Sequence, residues 1–243
     1  MTTLFTKCIF EFIGTLVLIL LGDGVVAGTT LKKTKGSGAG WVVITMAWGF
    51  AVMCGVFIAG PWSGAHLNPA VTLGLALAGE FAWNHVTGYV IAQMLGGFCG
   101  ALLVYAFYKD HYDATEDADT KLGTFCTAPA IRNKWRNLFC EFLSTWLLVF
   151  IILVFSTKGE TPEIGMGSLG AFPVTFLIMA IGMSLGSTTG YAINPARDLP
   201  PRCAHALLPI KGKRDSDWAY SWIPVLGPML GGAFAALTFI LVF

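Results

Sequence analysis

Charge is what this sequence has least of. Of its 243 residues only 12% are Asp, Glu, Lys or Arg, against about 25% in an ordinary soluble domain, while 55% are hydrophobic and the mean hydropathy is +0.69. A chain so poor in charge cannot dress its surface for water, which excludes a soluble globular fold. There is no excess of one sign either: 15 Lys and Arg against 14 Asp and Glu leave +1, so nucleic acid or another polyanion finds no basic patch to hold. Cysteine pairing is also missing. Cys8, Cys54, Cys99, Cys126, Cys140 and Cys203 form no Cys-x-x-Cys unit and at least four fall in apolar stretches, so they read as buried free thiols. The histidines, His66, His85, His111 and His205, are dispersed. Neither a metal cluster nor a nucleophile–base constellation is visible, and no metal, cofactor or enzymatic activity is expected.

What the chain has in quantity is long apolar runs. They lie at about 8–29, 40–60, 86–108, 137–156, 170–189 and 219–243, each close to the roughly 20 residues that match a hydrocarbon core about 30 Å thick. Two further apolar pieces, 69–79 and 195–209, are too short to cross and follow turn-rich approaches. The expected fold is therefore an all-α membrane protein with six transmembrane helices and two half-length, re-entrant helices. The first run has no small-residue cleavage signal and carries Glu11 inside it, so it reads as a retained span and not as a signal peptide.

The sequence is also doubled. Glu11-Phe12 near the start of the first span returns as Glu141-Phe142, Asn68-Pro69-Ala70 as Asn194-Pro195-Ala196, and Met94-Leu95-Gly96-Gly97 as Met229-Leu230-Gly231-Gly232, at offsets of 130, 126 and 135. Repeats of about 1–110 and 137–243, joined by a polar loop at 111–136, make one transmembrane domain of 1–243. Each repeat holds three spans, and three is odd. The second copy must then insert upside down, an arrangement that places the functional site at the bilayer midplane.

In each Asn-Pro-Ala box the Asn is a favoured N-cap and the Pro a favoured first helical residue, so both boxes read as helix starts. A single copy would mean no more than that. Two copies in an inverted repeat bring two half-helices together N-terminus to N-terminus, with the positive ends of their dipoles facing. If each Asn oxygen caps its own helix, its NH₂ group is free to donate into the space between. The approaches, Gly64-Ala65-His66-Leu67 and Gly190-Tyr191-Ala192-Ile193, are non-helical backbone at membrane depth, tolerated only in protein or along a water-filled cavity. Their carbonyls would make a ladder of acceptors for a solute bearing hydroxyls. The His66 side chain reads either as a satisfied structural histidine or as part of that lining.

Ionisable residues inside spans are costly and mark function or structural pairing. Glu11 and Glu141 hold equivalent places, and two roles are open: accepting the N–H groups of the broken loops so that their carbonyls face the pore, or relaying protons. Arg197 breaks the symmetry, standing three residues after Asn194 where the first repeat has Val71. A fixed guanidinium at a constriction offers donors to passing hydroxyls and repels cations.

The boxes from Ser63 to Thr72 and from Gly190 to Asp198, with the two Glu-Phe openings, resemble the major intrinsic protein (aquaporin) superfamily over essentially the whole chain. Asp198 directly after Arg197, and Pro224-Val225 in the sixth span, are similar to the bacterial glycerol facilitators within it. The resemblance implies a passive channel for glycerol, other small uncharged polyols and water that excludes ions and protons. It implies a multi-pass protein of the plasma membrane, in a lipid bilayer, assembled as a homotetramer of independently conducting protomers. A water-selective channel and a proton-coupled secondary transporter are the alternatives. The family's constriction maps onto Trp48, Gly182, Tyr191 and Arg197, and Gly182 would leave open a place where strict water channels commonly set a histidine. Glu11, Glu141, Pro69, Pro195 and Asp198 map onto structural positions.

Two features depart from the pattern. Tyr191 stands where many glycerol facilitators have Phe. Leu199-Pro200-Pro201 replaces their Gly-Pro, and prolines there remove the N–H donors to Ala196 and Arg197, which predicts a kinked second half-helix. The family also keeps both termini in the cytoplasm, a plan that puts Lys32, Lys33, Lys35, Arg132, Lys134, Arg136, Lys211, Lys213 and Arg214 outside, opposite to the positive-inside tendency.

Overall fold

The computed structural model describes residues 2–155 and 165–243, and all regular structure among them is helical. In chain order the helices are α1 (Leu4–Thr30), α2 (Trp41–Ser63), α3 (Pro69–Leu77), α4 (Trp83–Phe107), the short α5 (Lys109–Ala114) and α6 (Ala118–Gly123), α7 (Lys134–Val154), α8 (Phe172–Leu185), α9 (Pro195–Leu207) and α10 (Ile223–Val242). Of these, α1, α2, α4, α7 and α10 are each long and apolar enough to cross a bilayer. The fifth of the six spans is shorter than expected from 170–189: α8 has 14 residues, with 3₁₀ turns at Gly165–Leu169 before it and Gly186–Thr188 after it. The last residue expected for the fourth span, 156, lies outside the described residues. The connection expected as a loop at 111–136 contains α6 and most of α5, and α6 opens where the Asp117 carboxylate accepts from Thr120 N at 2.9 Å.

Helix starts follow the local chemistry. Thr3 caps α1 and Asn133 caps α7 through side-chain oxygens that accept first-turn N–H groups, which supplies donors left over at any helix start with a partner. The half-helices α3 and α9 are capped by Asn68 and Asn194 and carry Pro at their first position. At 9 and 13 residues they are about 14 and about 20 Å long, too short to span. The kink expected from Pro200-Pro201 does not divide α9, which runs unbroken through both prolines. The carbonyl of Ala196, which loses its helical donor to Pro200, lies against Gly97 of α4.

Packing crosses between the repeats. α1 packs on α2 and α4, and α7 on α10, but the half-helix α3 of the first repeat also rests on α10, and α9 of the second on α4. The duplicated Gly-Gly pairs explain the closeness. A Cβ on Gly96 or Gly231 would run into the carbonyl of Phe12 or Phe142, and one on Gly97 or Gly232 into that of Ala196 or Ala70. Between helices in lipid there is no hydrophobic force to spend, and close backbone approach at small residues is what holds a bundle. Outer faces carry large exposed apolar side chains, among them Phe5, Phe107, Trp135 and Leu241, as a surface against lipid tails requires.

Candidate functional site

The two re-entrant loops are built alike. Gly64, Ala65 and Leu67 have φ of 85°, 51° and 54°, and Gly190, Tyr191 and Ile193 have φ of 83°, 37° and 44°. Left-handed backbone at a residue with a Cβ costs about 1–3 kcal/mol and persists only where the surroundings enforce it. Here a buried carboxylate does the enforcing. Glu11 accepts from Ser63 Oγ at 2.6 Å, His66 N at 2.9 Å, Leu67 N at 2.7 Å and Gln93 Nε2 at 2.8 Å. Glu141 accepts from Thr189 Oγ1 at 2.7 Å, Ala192 N at 3.1 Å and Ile193 N at 2.9 Å. Each loop thus turns its N–H groups toward an anion behind it. The carbonyls of Gly64, Ala65, His66, Gly190, Tyr191 and Ala192 accept no hydrogen bond among the described residues.

At the centre the side-chain oxygens of Asn68 and Asn194 accept from Ala70 N and Ala196 N, both at 2.9 Å. The amide groups are not wholly free, which corrects the expectation from sequence. Asn68 Nδ2 donates to the Ile193 carbonyl at 2.8 Å, and Asn194 Nδ2 to the Leu67 carbonyl at 2.9 Å. Each amide therefore keeps one N–H for the lumen, and the last rung of each expected carbonyl ladder is already engaged by the opposite repeat. Pro69 and Pro195 sit at the buried first positions of α3 and α9.

A cavity runs past these groups. Its polar lining comes from both loops, both Asn and Arg197; its apolar lining from Leu18, Val52, Val56, Val71, Leu148, Val174 and Ile178, with Trp48 and Tyr191. Of the thirteen positions expected to line a pore, eleven border this cavity, and Gly190 and Gly182 do not. Gly190 lies against Thr127. At Gly182 the space a side chain would take is occupied by the Tyr191 ring: a Cβ there would stand 2.8 Å from Tyr191 Cζ and 2.9 Å from its hydroxyl. Gly186, one turn on, meets the same ring, and Trp41 closes the seat by donating to the Gly182 carbonyl at 3.0 Å. The glycine pair at the end of α8 and in the turn after it thus widens nothing directly. It recesses the tyrosine.

Arg197 lies with its guanidinium 4.4 Å over the Trp48 ring and its Nη1 3.1 Å from Asp23 Oδ1 and 3.4 Å from the Phe125 carbonyl. Sequence reasoning missed Asp23, although a carboxylate between two glycines in the middle of an apolar span was a visible signal. Asp198 faces away from the cavity. It accepts from Arg202 Nε and Nη2 at 2.9 and 2.8 Å and from Thr127 N and Oγ1, both at 2.7 Å, tying the loop after α6 to α9. His66 shares a hydrogen bond with Thr72 at 3.1 Å and packs against Phe81 and Tyr89. It also borders the cavity, so its structural and lining roles coexist.

Comparison with known proteins agrees with this geometry. A family model described as major intrinsic protein matches residues 1–239. The chain is 56% identical to glycerol uptake facilitator protein 3 of Lactiplantibacillus plantarum, over 94% of this chain and 93% of that one. It is 53% identical to the probable glycerol uptake facilitator protein of Thermotoga maritima, over 93% and 94%. The X-ray structure of the aquaglyceroporin from Plasmodium falciparum superposes with a TM-score of 0.85 at 29% identity, covering 99% of this chain and 97% of that one. With the doubled boxes, the inverted half-helices and the family model all spanning the same residues, the chain belongs to the major intrinsic protein family.

Proposed function

We propose that this integral membrane protein is a passive channel for glycerol and other small uncharged polyols and for water, and not an enzyme. The observation that carries the reading is the mixed lining of the cavity: apolar side chains together with unengaged loop carbonyls, one N–H from each of Asn68 and Asn194, and Arg197. Glycerol has the matching form, with hydroxyls along one edge and C–H groups along the other. Trp48 and Tyr191 would face its carbon edge, while Arg197 and the carbonyls of Gly64, Ala65 and His66 and of Tyr191 and Ala192 replace its hydration. A water at the midplane that accepts from both Asn must point its own hydrogens away from each helix end, which interrupts a chain of proton hops.

The carboxylates favour a channel over a proton-coupled transporter. Glu11 and Glu141 are 0% and 1% exposed and filled with four and three donors, whereas a proton carrier has to meet water. We place the repeats at about 1–110 and 137–243 and read the assembly as a homotetramer in the plasma membrane. Stopped-flow light scattering on proteoliposomes tests the function: water-driven shrinkage and glycerol-driven reswelling should both accelerate in proportion to protein. A glycerol flux that saturates at low concentration and follows an imposed pH gradient would overturn it.

A further inference from the structure

We infer that Asp23 on α1 is the residue that sets the charge of the constriction: it neutralises Arg197 and holds the guanidinium flat on Trp48, so that the filter offers hydrogen-bond donors without net charge. The inference rests on reading Trp48, Tyr191 and Arg197 as the filter, and four observations lead to it. Asp23 is wholly buried and does not border the cavity, yet its Oδ1 meets Arg197 Nη1 at 3.1 Å. Its Oδ2 has no partner among the described residues, so its charge is spent on nothing else there. The neighbouring carboxylate, Asp198, has both oxygens occupied by Arg202 and Thr127. And Gly22, the residue before Asp23, has the Trp48 ring where its Cβ would be. One dipeptide of α1 thus seats the ring and anchors the cation stacked on it.

The physical consequence follows from burial. A lone charge in a low-dielectric wall is costly and recruits a counter-ion. With Asp23 in place the recruit is built in, and the lumen has no call for another. Cation exclusion then does not depend on the charge of Arg197, as sequence alone suggested. Both signs are refused because neither recovers its hydration from a neutral filter, and the same neutrality keeps small anions from collecting there. Asp23 is a positioning residue, acting on the permeant only through Arg197.

Nitrate, a small and permanently charged anion, is the probe. In proteoliposomes held at a fixed membrane potential, Asp23→Asn should raise nitrate flux about tenfold or more over wild type, the order expected for removing a unit charge a few ångströms from the path. Asp23→Glu keeps the charge and should not. Adding Arg197→Gln to Asp23→Asn should abolish the gain. An Asp23→Asn protein that folds and conducts glycerol but passes no more nitrate than wild type overturns the inference. If Asp23→Asn does not fold, recovery of yield in the double variant supports the pairing, and a double variant that fails equally overturns it. Trp48→Ala, assayed in parallel for glycerol and water, keeps the two readings apart. Should its glycerol-to-water ratio stay at the wild-type value, the filter reading fails; should that ratio move while nitrate stays excluded in Asp23→Asn, only the role of Asp23 fails.

Discussion

The two half-helices do the same structural job with opposite chemistry. α3 is nine residues without a charge, while α9 is thirteen residues and buries Arg197, Asp198, Arg202 and His205. Both are capped by Asn, both begin with Pro, both are approached by a left-handed loop held on a glutamate. What is duplicated is therefore the frame that bends backbone into the membrane. What is unique to the second repeat is a set of charges: these fix the loop after α6 and, on the function proposed above, furnish the constriction. Symmetry then makes the frame, and on that proposal its breaking makes the selectivity.

The largest break in that comparison should come at Arg202. Its guanidinium is fully buried and donates to Asp198, Thr127 O, Ser216 O and Asp217 O, whereas the first repeat has Ala76 at the matching place. Arg202→Leu leaves Asp198 as an uncompensated buried charge, at a cost of about 3–5 kcal/mol. Folded yield in detergent, followed by size-exclusion chromatography, should collapse. A well-folded Arg202→Leu protein would show that the charges of α9 are dispensable to the frame.

The glutamates come next, and they should not be equal. Gln offers one acceptor oxygen, so Glu11→Gln displaces two of four donors whichever way the amide turns, of which Ser63 Oγ alone can fall back fully on another acceptor, the Ala59 carbonyl, while Glu141→Gln, turned well, displaces only Ile193 N. At about 1–3 kcal/mol per buried unsatisfied donor, thermal unfolding in detergent should show the larger loss for Glu11→Gln. Equal losses would mean that the count of donors is not what matters.

The smallest stability effect and the sharpest functional one separate two equivalent glycines. Gly60 and Gly182 stand 122 residues apart, the same spacing as the cavity-lining Val52 and Val174. A Cβ on Gly60 meets only Val56 Cγ1 at 3.8 Å, whereas one on Gly182 strikes the Tyr191 ring. Gly60→Ala should leave transport unchanged and shift stability by no more than about 1 kcal/mol. Gly182→His with Trp48→Phe drives the phenol into the lumen and should cut glycerol flux about tenfold to a hundredfold, with water flux within a few-fold. Glycerol and water falling together in stopped-flow assays would mean that the Tyr191 seat does not govern solute size.

Much of this was legible because the chain says it twice. Glu11 and Glu141, the Asn-Pro-Ala boxes and the Gly-Gly pairs are local signals, and their recurrence pointed to the repeat, the half-helices and a site where the two meet. What could not be read were relations across the repeats. Asp23 meets Arg197 from 174 residues away, and neither the use of one Asn N–H by the opposite loop nor the filling of the Gly182 space by Tyr191 has any signature in spacing. The short α8 was overestimated because the 3₁₀ turn that continues it, Gly186-Ser187-Thr188, carries no charge or proline to mark an end. Pro200-Pro201 predicted a kink; α9 runs unbroken through both prolines, and the carbonyl freed at Ala196 lies where α4 has only a glycine.

The exchange of amide hydrogen bonds at the midplane also makes the two copies depend on each other. The Leu67 carbonyl belongs to the first repeat, but its donor, Asn194, belongs to the second, 127 residues on, and α3 of the first repeat rests chiefly on α10 of the second. Without the second repeat, the first half-helix lacks both that clasp and that bed. The two inverted copies are thus not two modules joined by a linker; neither completes the centre of the pore alone.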